Sequence, residues 1–182
     1  MRAGVSNVTG KAELWAATGR VDPDASLWPR DGVPSTVEKV VTLDLLMKKS
    51  VSEGRAFIAH IAVNGHEHAV LLGAKKSLKK KLIRFLIFEV SEYWEPAGHN
   101  LGASVQLLWN KGYACFALLP QPVPLSGPFL SEALSVGDGG PVWFNVLCAR
   151  IDDQGLRRVL LALDPEAPDF FGQYAGPGNG SS

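Results

Sequence analysis

The sequence predicts an α/β fold: a mainly parallel, doubly wound sheet with helices on its faces and antiparallel strands at its edge. Three observations lead there. The runs Phe57 to Val63 and Leu82 to Val90 are of strand length and nearly continuously apolar, as expected of strands covered on both faces. Between them the pattern changes to helical spacing, with Val70, Ala74 and Leu78 on one stripe from His66 to about Lys80. A second helix, carrying Leu101, Val105, Leu108 and Trp109, then leads into a strand over Tyr113 to Leu119, and such short alternating connections imply right-handed crossovers.

The remaining elements follow in order. Lys11 to Thr18 is a strand candidate, and the turn-forming stretch after it, as far as Pro34, is expected to be loop. Glu38 to Thr42 is β-branched and reads as a strand running into Asp44, whose carboxylate is placed to cap a short helix over Leu45 to Lys49. Asn64 and Gly65 end the first long apolar run. Asn100 is placed to cap the second helix, and Gly112 stands where a left-handed residue closes one. The proline-rich stretch after Leu119 reads as loop and Glu132 to Val136 as ambiguous. Val142 to Ile151 and Val159 to Leu163 read as late strands that pair antiparallel at the sheet edge. One domain over 1–172 is expected, with a disordered tail over 173–182.

Lysine and arginine total 18 and aspartate and glutamate 18, so no net field draws the chain to nucleic acid or an anionic membrane, and neither is expected as a partner. The first residues lack a signal-peptide core, and no stretch reaches the ~20 apolar residues of a membrane span. The chain therefore reads as intracellular and cytoplasmic. Cys115 and Cys148 lie in separate apolar runs and read as two buried thiols rather than a disulfide framework. The one basic patch, from Lys75 to Lys81 with Arg84, is accounted for by a helix C-terminus and by solubility.

Ligand sites of open α/β sheets lie outside the carboxyl ends of the strands, which directs attention to three junctions: Thr42 to Asp44, His60 to Glu67, and Glu89. In order they read TLD, HIAVNGHE and FLIFEV, with VLLGA (Val70 to Ala74) between the last two and KGY (Lys111 to Tyr113) after them. This series resembles the later half of the FkbM-type methyltransferases, whose elements run T-L-D, K-I-D-V-E-G-x-E, L-x-G-A, a strand ending in glutamate, and G-Y. The resemblance implies a partial Rossmann-like, class I methyltransferase-type sheet. It also implies S-adenosylmethionine as cofactor and transfer of a methyl group to oxygen of a small-molecule acceptor. Glu67 and Glu89 are then the candidate catalytic bases, with Asp44, His60, Asn64 and Gly65 as candidates for lining the acceptor cleft.

Two departures shape that expectation. His60, Ala62 and Asn64 stand where the family has lysine, aspartate and glutamate, while the hydrophobic frame Ile61, Val63 and Gly65 is kept. Packing retained and charges lost is the pattern of a fold that outlives its activity. The glycine-rich turn and the acidic ribose-binding residue of a Rossmann-type cofactor site are both missing, and Met1 falls where a complete family member would already be past them. The expected function is thus an O-methyltransferase-like domain, incomplete or inactive as an isolated chain. The alternative is a non-catalytic binding module on the same fold, whose half sheet exposes an edge to be covered by a second copy or a partner chain. No metal site is expected: H-E-x-x-H spacing is absent, and His66 and His68, two apart, diverge on a helix.

Overall fold

The computed structural model describes residues 4–16, 33–50, 54–120, 122–125 and 143–155. Strands β1 (Gly4–Ser6), β2 (Gly10–Ala16) and β3 (Val33–Thr42) form a three-stranded sheet in the order β1-β3-β2. Helix α1 (Leu43–Ser50) follows directly. Strand β4 (Ala56–Ile61), helices α2 (Glu67–Leu72) and α3 (Lys75–Lys79), strand β5 (Ile83–Val90), helix α4 (Leu101–Trp109), and strands β6 (Tyr113–Leu118), β7 (Val123–Pro124) and β8 (Phe144–Arg150) complete the described chain. The expected ambiguous segment 132–136, the strand over 159–163 and the tail over 173–182 lie outside the described residues.

The second sheet has the order β4-β5-β8-β6-β7. The fold is α/β as expected, but the sheet is mixed rather than mainly parallel: β4 and β5 are parallel, whereas β8 runs antiparallel to both β5 and β6. Since β5 and β6 both oppose β8, the strands β4, β5 and β6 share one direction. The late strand is therefore not an edge strand but is wedged between β5 and β6. Its composition suits that place, because Phe144, Val146 and Cys148 are buried on one face and Ala149 on the other, and an edge position would leave one side open to water. The edge is taken instead by β7, inside the stretch expected to be loop; Pro124 lacks an N–H and is tolerated where a ladder ends.

One face of this sheet, with Leu86, Phe88, Val146 and Ala117, packs beneath α2, α3 and α4 through Leu71, Leu78, Leu101, Val105 and Leu108. The Tyr113 hydroxyl donates to the Ile83 carbonyl, tying β6 to β5, and burial pushes it up to about 12. Cys115 and Cys148 stand directly opposite in the β6–β8 register and are joined as a disulfide, which corrects the expectation of two separate thiols. Two runs that are remote in sequence become neighbours only through the reversal of β8.

The strand β4 was expected to be covered on both faces. It lies instead at the end of the sheet, with Phe57 65% and Ile58 51% exposed, because among the described residues only β5 pairs with it.

The expected helix over 66–80 is two helices, and Asp44 explains the break. In a continuous helix the Ser77 amide would donate to the Gly73 carbonyl. Here that carbonyl accepts from the Asp44 amide at 3.0 Å, while the Asp44 carboxylate accepts from the amides of Lys76 at 2.9 Å and Ser77 at 2.7 Å and from the Ser77 hydroxyl at 2.7 Å. Asp44 thus stands in for a turn of backbone and caps α3 rather than α1. The cap of α1 is Thr42, whose hydroxyl accepts from the Leu45 amide at 3.2 Å. Among the described residues, no helix is long and apolar enough to cross a membrane.

Candidate functional site

The common direction of β4, β5 and β6 brings their carboxyl ends to one edge of the sheet. There β4 hands over to α2 through Asn64 and Gly65, with φ of 52° and 93°, and the His66 amide closes the turn on the Val63 carbonyl at 3.3 Å. Two consecutive positive φ values suit Asn-Gly, the pair that reaches the left-handed region at least cost. The expected junction is therefore present at this position.

Glu67 opens α2 and is fully buried. Its carboxylate accepts from the Val63 amide at 2.9 Å and the Gly65 amide at 3.0 Å, so each oxygen holds one end of the turn. Burial pushes its pKa up, opposed by these backbone hydrogen bonds and reinforced by Glu89 nearby. Glu89, half-buried at the end of β5, stands opposite Asn145 of β8, whose buried Oδ1 has no hydrogen-bond partner. His60 is exposed on the edge strand rather than held in the core, and Asp44 is engaged at α3. The candidates thus divide: Asn64, Gly65, Glu67 and Glu89 gather at the carboxyl ends of β4 and β5, and His60 lies along the exposed edge of β4.

The structure adds a group that the sequence reading did not assemble. Three of the chain's 4 histidines meet here: the rings of His66 and His99 are 6.1 Å apart and those of His68 and His99 5.1 Å. His66 precedes the helix proper, with φ −105° and ψ 10°, so the helical divergence expected of His66 and His68 does not apply. The Ser6 hydroxyl lies 2.9 Å from His66 Nε2 and 3.1 Å from the Asn7 side-chain oxygen. The Ser104 hydroxyl likewise lies 2.6 Å from His68 Nδ1 and 3.3 Å from the Asn100 carbonyl oxygen. The buried Nε1 of Trp94 and Nε2 of His99 have no hydrogen-bond partner. The sequence signal was faint: His99 sits between Gly98 and the Asn100 cap, outside any strand or helix. Among the described residues no group of three His, Cys, Asp or Glu is placed to hold a metal ion.

Desolvation lowers the pKa of all three imidazoles, and His99 is further opposed by His68, as His66 is by His99. The sign follows directly. A histidine whose folded pKa lies below its ordinary 6.5 contributes stability that is fully present above 6.5 and is lost as pH falls through the folded value. Thermal unfolding followed from pH 7.5 down to 5.5 is expected to show a falling midpoint, and His99→Gln is expected to flatten the dependence. An unchanged slope in that variant would rule the cluster out as its source.

Comparisons with family models, with curated proteins and with solved structures return no match.

Proposed function

We propose that this chain is an O-methyltransferase-like domain of FkbM type that carries the acceptor side of the fold and does not bind S-adenosylmethionine by itself. The observation that supports this reading most is the handover from β4 to α2 at Asn64 and Gly65. The element resembling the family's K-I-D-V-E-G-x-E lies at the carboxyl end of a strand parallel to its neighbour, where an α/β sheet takes its ligand. Near it, Glu89 stands opposite Asn145, and polar side-chain atoms of Asn145, Trp94 and His99 are buried without hydrogen-bond partners. Glu89 is the better base of the two candidates, since both oxygens of Glu67 are occupied by the turn.

The described residues do not fit the cofactor. A sulfonium nucleoside site needs free backbone N–H groups in a glycine turn. At this edge the Gly65 amide is already spent on Glu67 and the Gly98 amide on the Glu95 carbonyl. No step through the cofactor is therefore assigned. Titration calorimetry of the purified chain with S-adenosylmethionine is expected to show no binding, and a micromolar dissociation constant would overturn the reading.

A second reading, a non-catalytic binding module, is favoured by the open flank of β4. An apolar groove of about 290 Å³ runs there between β4 and α1, lined by Leu46, Met47, Ile58 and Ala59. Phe57 and Ile58 project from the same strand. A second copy or partner chain pairing with this edge would cover them. Light scattering is expected to find association that Ile58→Lys abolishes, and a monomeric wild-type chain would defeat this reading. Cytoplasmic residence belongs to the same proposal, and the Cys115–Cys148 disulfide, rare in that compartment, is the observation that opposes it.

A further inference from the structure

The lysines on α1 and α3 are arranged in a way that helix electrostatics does not explain. With the helix broken at Gly73, Lys75 stands at the start of the five-residue α3, and Lys76 lies in its first and its last turn alike. The positive end of the helix disfavours a cation at Lys75, so the account sufficient for Lys76, Lys79, Lys80 and the α1 residues Lys48 and Lys49 fails for that one. Lys75 and Lys79, and likewise Lys76 and Lys80, are also like-charge pairs four residues apart, a spacing that costs folding free energy. The exposed ammonium groups of α3 and α1 converge on one groove of about 420 Å³, walled by Lys48, Lys76 and Lys80 over Met47 and Leu82. The one carboxylate lining that groove, Asp44, has both oxygens engaged by α3 and leaves the lysines unneutralised.

We propose that the groove between α1 and α3 is a binding site for a ligand bearing two or more phosphate groups. Cations on two separate helices facing one cleft match charges a few ångströms apart better than a single anion. The zero net charge of the chain confines the attraction to this face. The α3 N-terminus itself is not the site, because Asp44 already occupies its amides. The site lies away from the carboxyl ends of β4 and β5 and stands independently of the methyltransferase reading.

The test uses the whole chain. Calorimetry with inorganic pyrophosphate at low salt is expected to show binding that weakens as salt rises. Lys76→Gln with Lys80→Gln is expected to reduce affinity on the order of tenfold per lysine, while Lys11→Gln, on β2 and outside the groove, leaves it unchanged. Sedimentation with vesicles containing phosphatidylinositol bisphosphate separates the sources: vesicle binding with the same lysine dependence and no pyrophosphate binding assigns the phosphates to a lipid headgroup. Because the double variant relieves repulsion, its melting midpoint should stay level or rise, so lost binding cannot be put down to unfolding. Failure of both probes to bind, or equal weakening by Lys11→Gln, overturns the proposal.

Discussion

Glu67→Ala is expected to destabilise the chain by on the order of 4 kcal/mol, a large share of the stability of a domain this size. The substitution leaves the amides of Val63 and Gly65 without acceptors beneath a helix start that water does not reach. An unsatisfied buried N–H costs about 1–3 kcal/mol, and the emptied side-chain volume adds to that. Glu67→Gln keeps one acceptor oxygen but turns an amide group toward the other N–H, and should cost about half as much. The two variants also differ from wild type in pH response. Burial raises the Glu67 pKa above 4.5, so its contribution is present below 4.5 and is lost as pH rises through the folded value, a dependence that Gln lacks. Urea unfolding at pH 5 and pH 7.5 measures both effects. A change below about 1 kcal/mol for Glu67→Ala would mean that the turn is held by other groups.

Gly73→Ala should destabilise by about 2–4 kcal/mol even though alanine is the better helix former. The φ of −77° at Gly73 is open to any residue, and Ala would gain up to about 1 kcal/mol from propensity and reduced chain entropy. Against that, a Cβ there would run into the Ser6 carbonyl oxygen and lie 3.2 Å from the Asn7 Cα. Both are backbone atoms at the end of β1, so relief requires β1 to move away from α2. That movement strains the parallel pairing of Gly4 to Ser6 with Val40 to Thr42 and withdraws Ser6 from His66. The clash therefore outweighs the propensity gain. A Gly73→Ala chain that melts higher than wild type would contradict the close approach of α2 and β1.

Local chemistry was legible in the sequence wherever a residue type answers a backbone need within a few positions. Asn64 and Gly65 take the two left-handed positions of the turn, Asn100 accepts from the Ala103 amide at 3.0 Å as an N-cap, and Gly112 closes the turn after α4 with φ 78°. The strands β5, β6 and β8 fall inside the apolar runs that announced them, and β4 begins one residue before its own. Where reading failed, the deciding partner was remote. The break between α2 and α3 is made by Asp44, some thirty residues earlier, whose carboxylate looked from its neighbours like the cap of α1. Hydrophobic period alone could not reveal it, since Val70 and Leu78 are buried on either side of the break.

The sequence alone thus determined the class of the fold, the segments of its longer strands and of α4, and the turn that opens toward the candidate site, because these follow from periodicity and from the φ preferences of single residues. Tertiary structure decided the insertion of β8 between β5 and β6, the pairing of Cys115 with Cys148, the open flank of β4, the meeting of His66, His68 and His99, and the groove of lysines. Strand order, like proximity between distant side chains, is set by which apolar faces can be buried together, a property of the assembled surfaces and not of any stretch of chain.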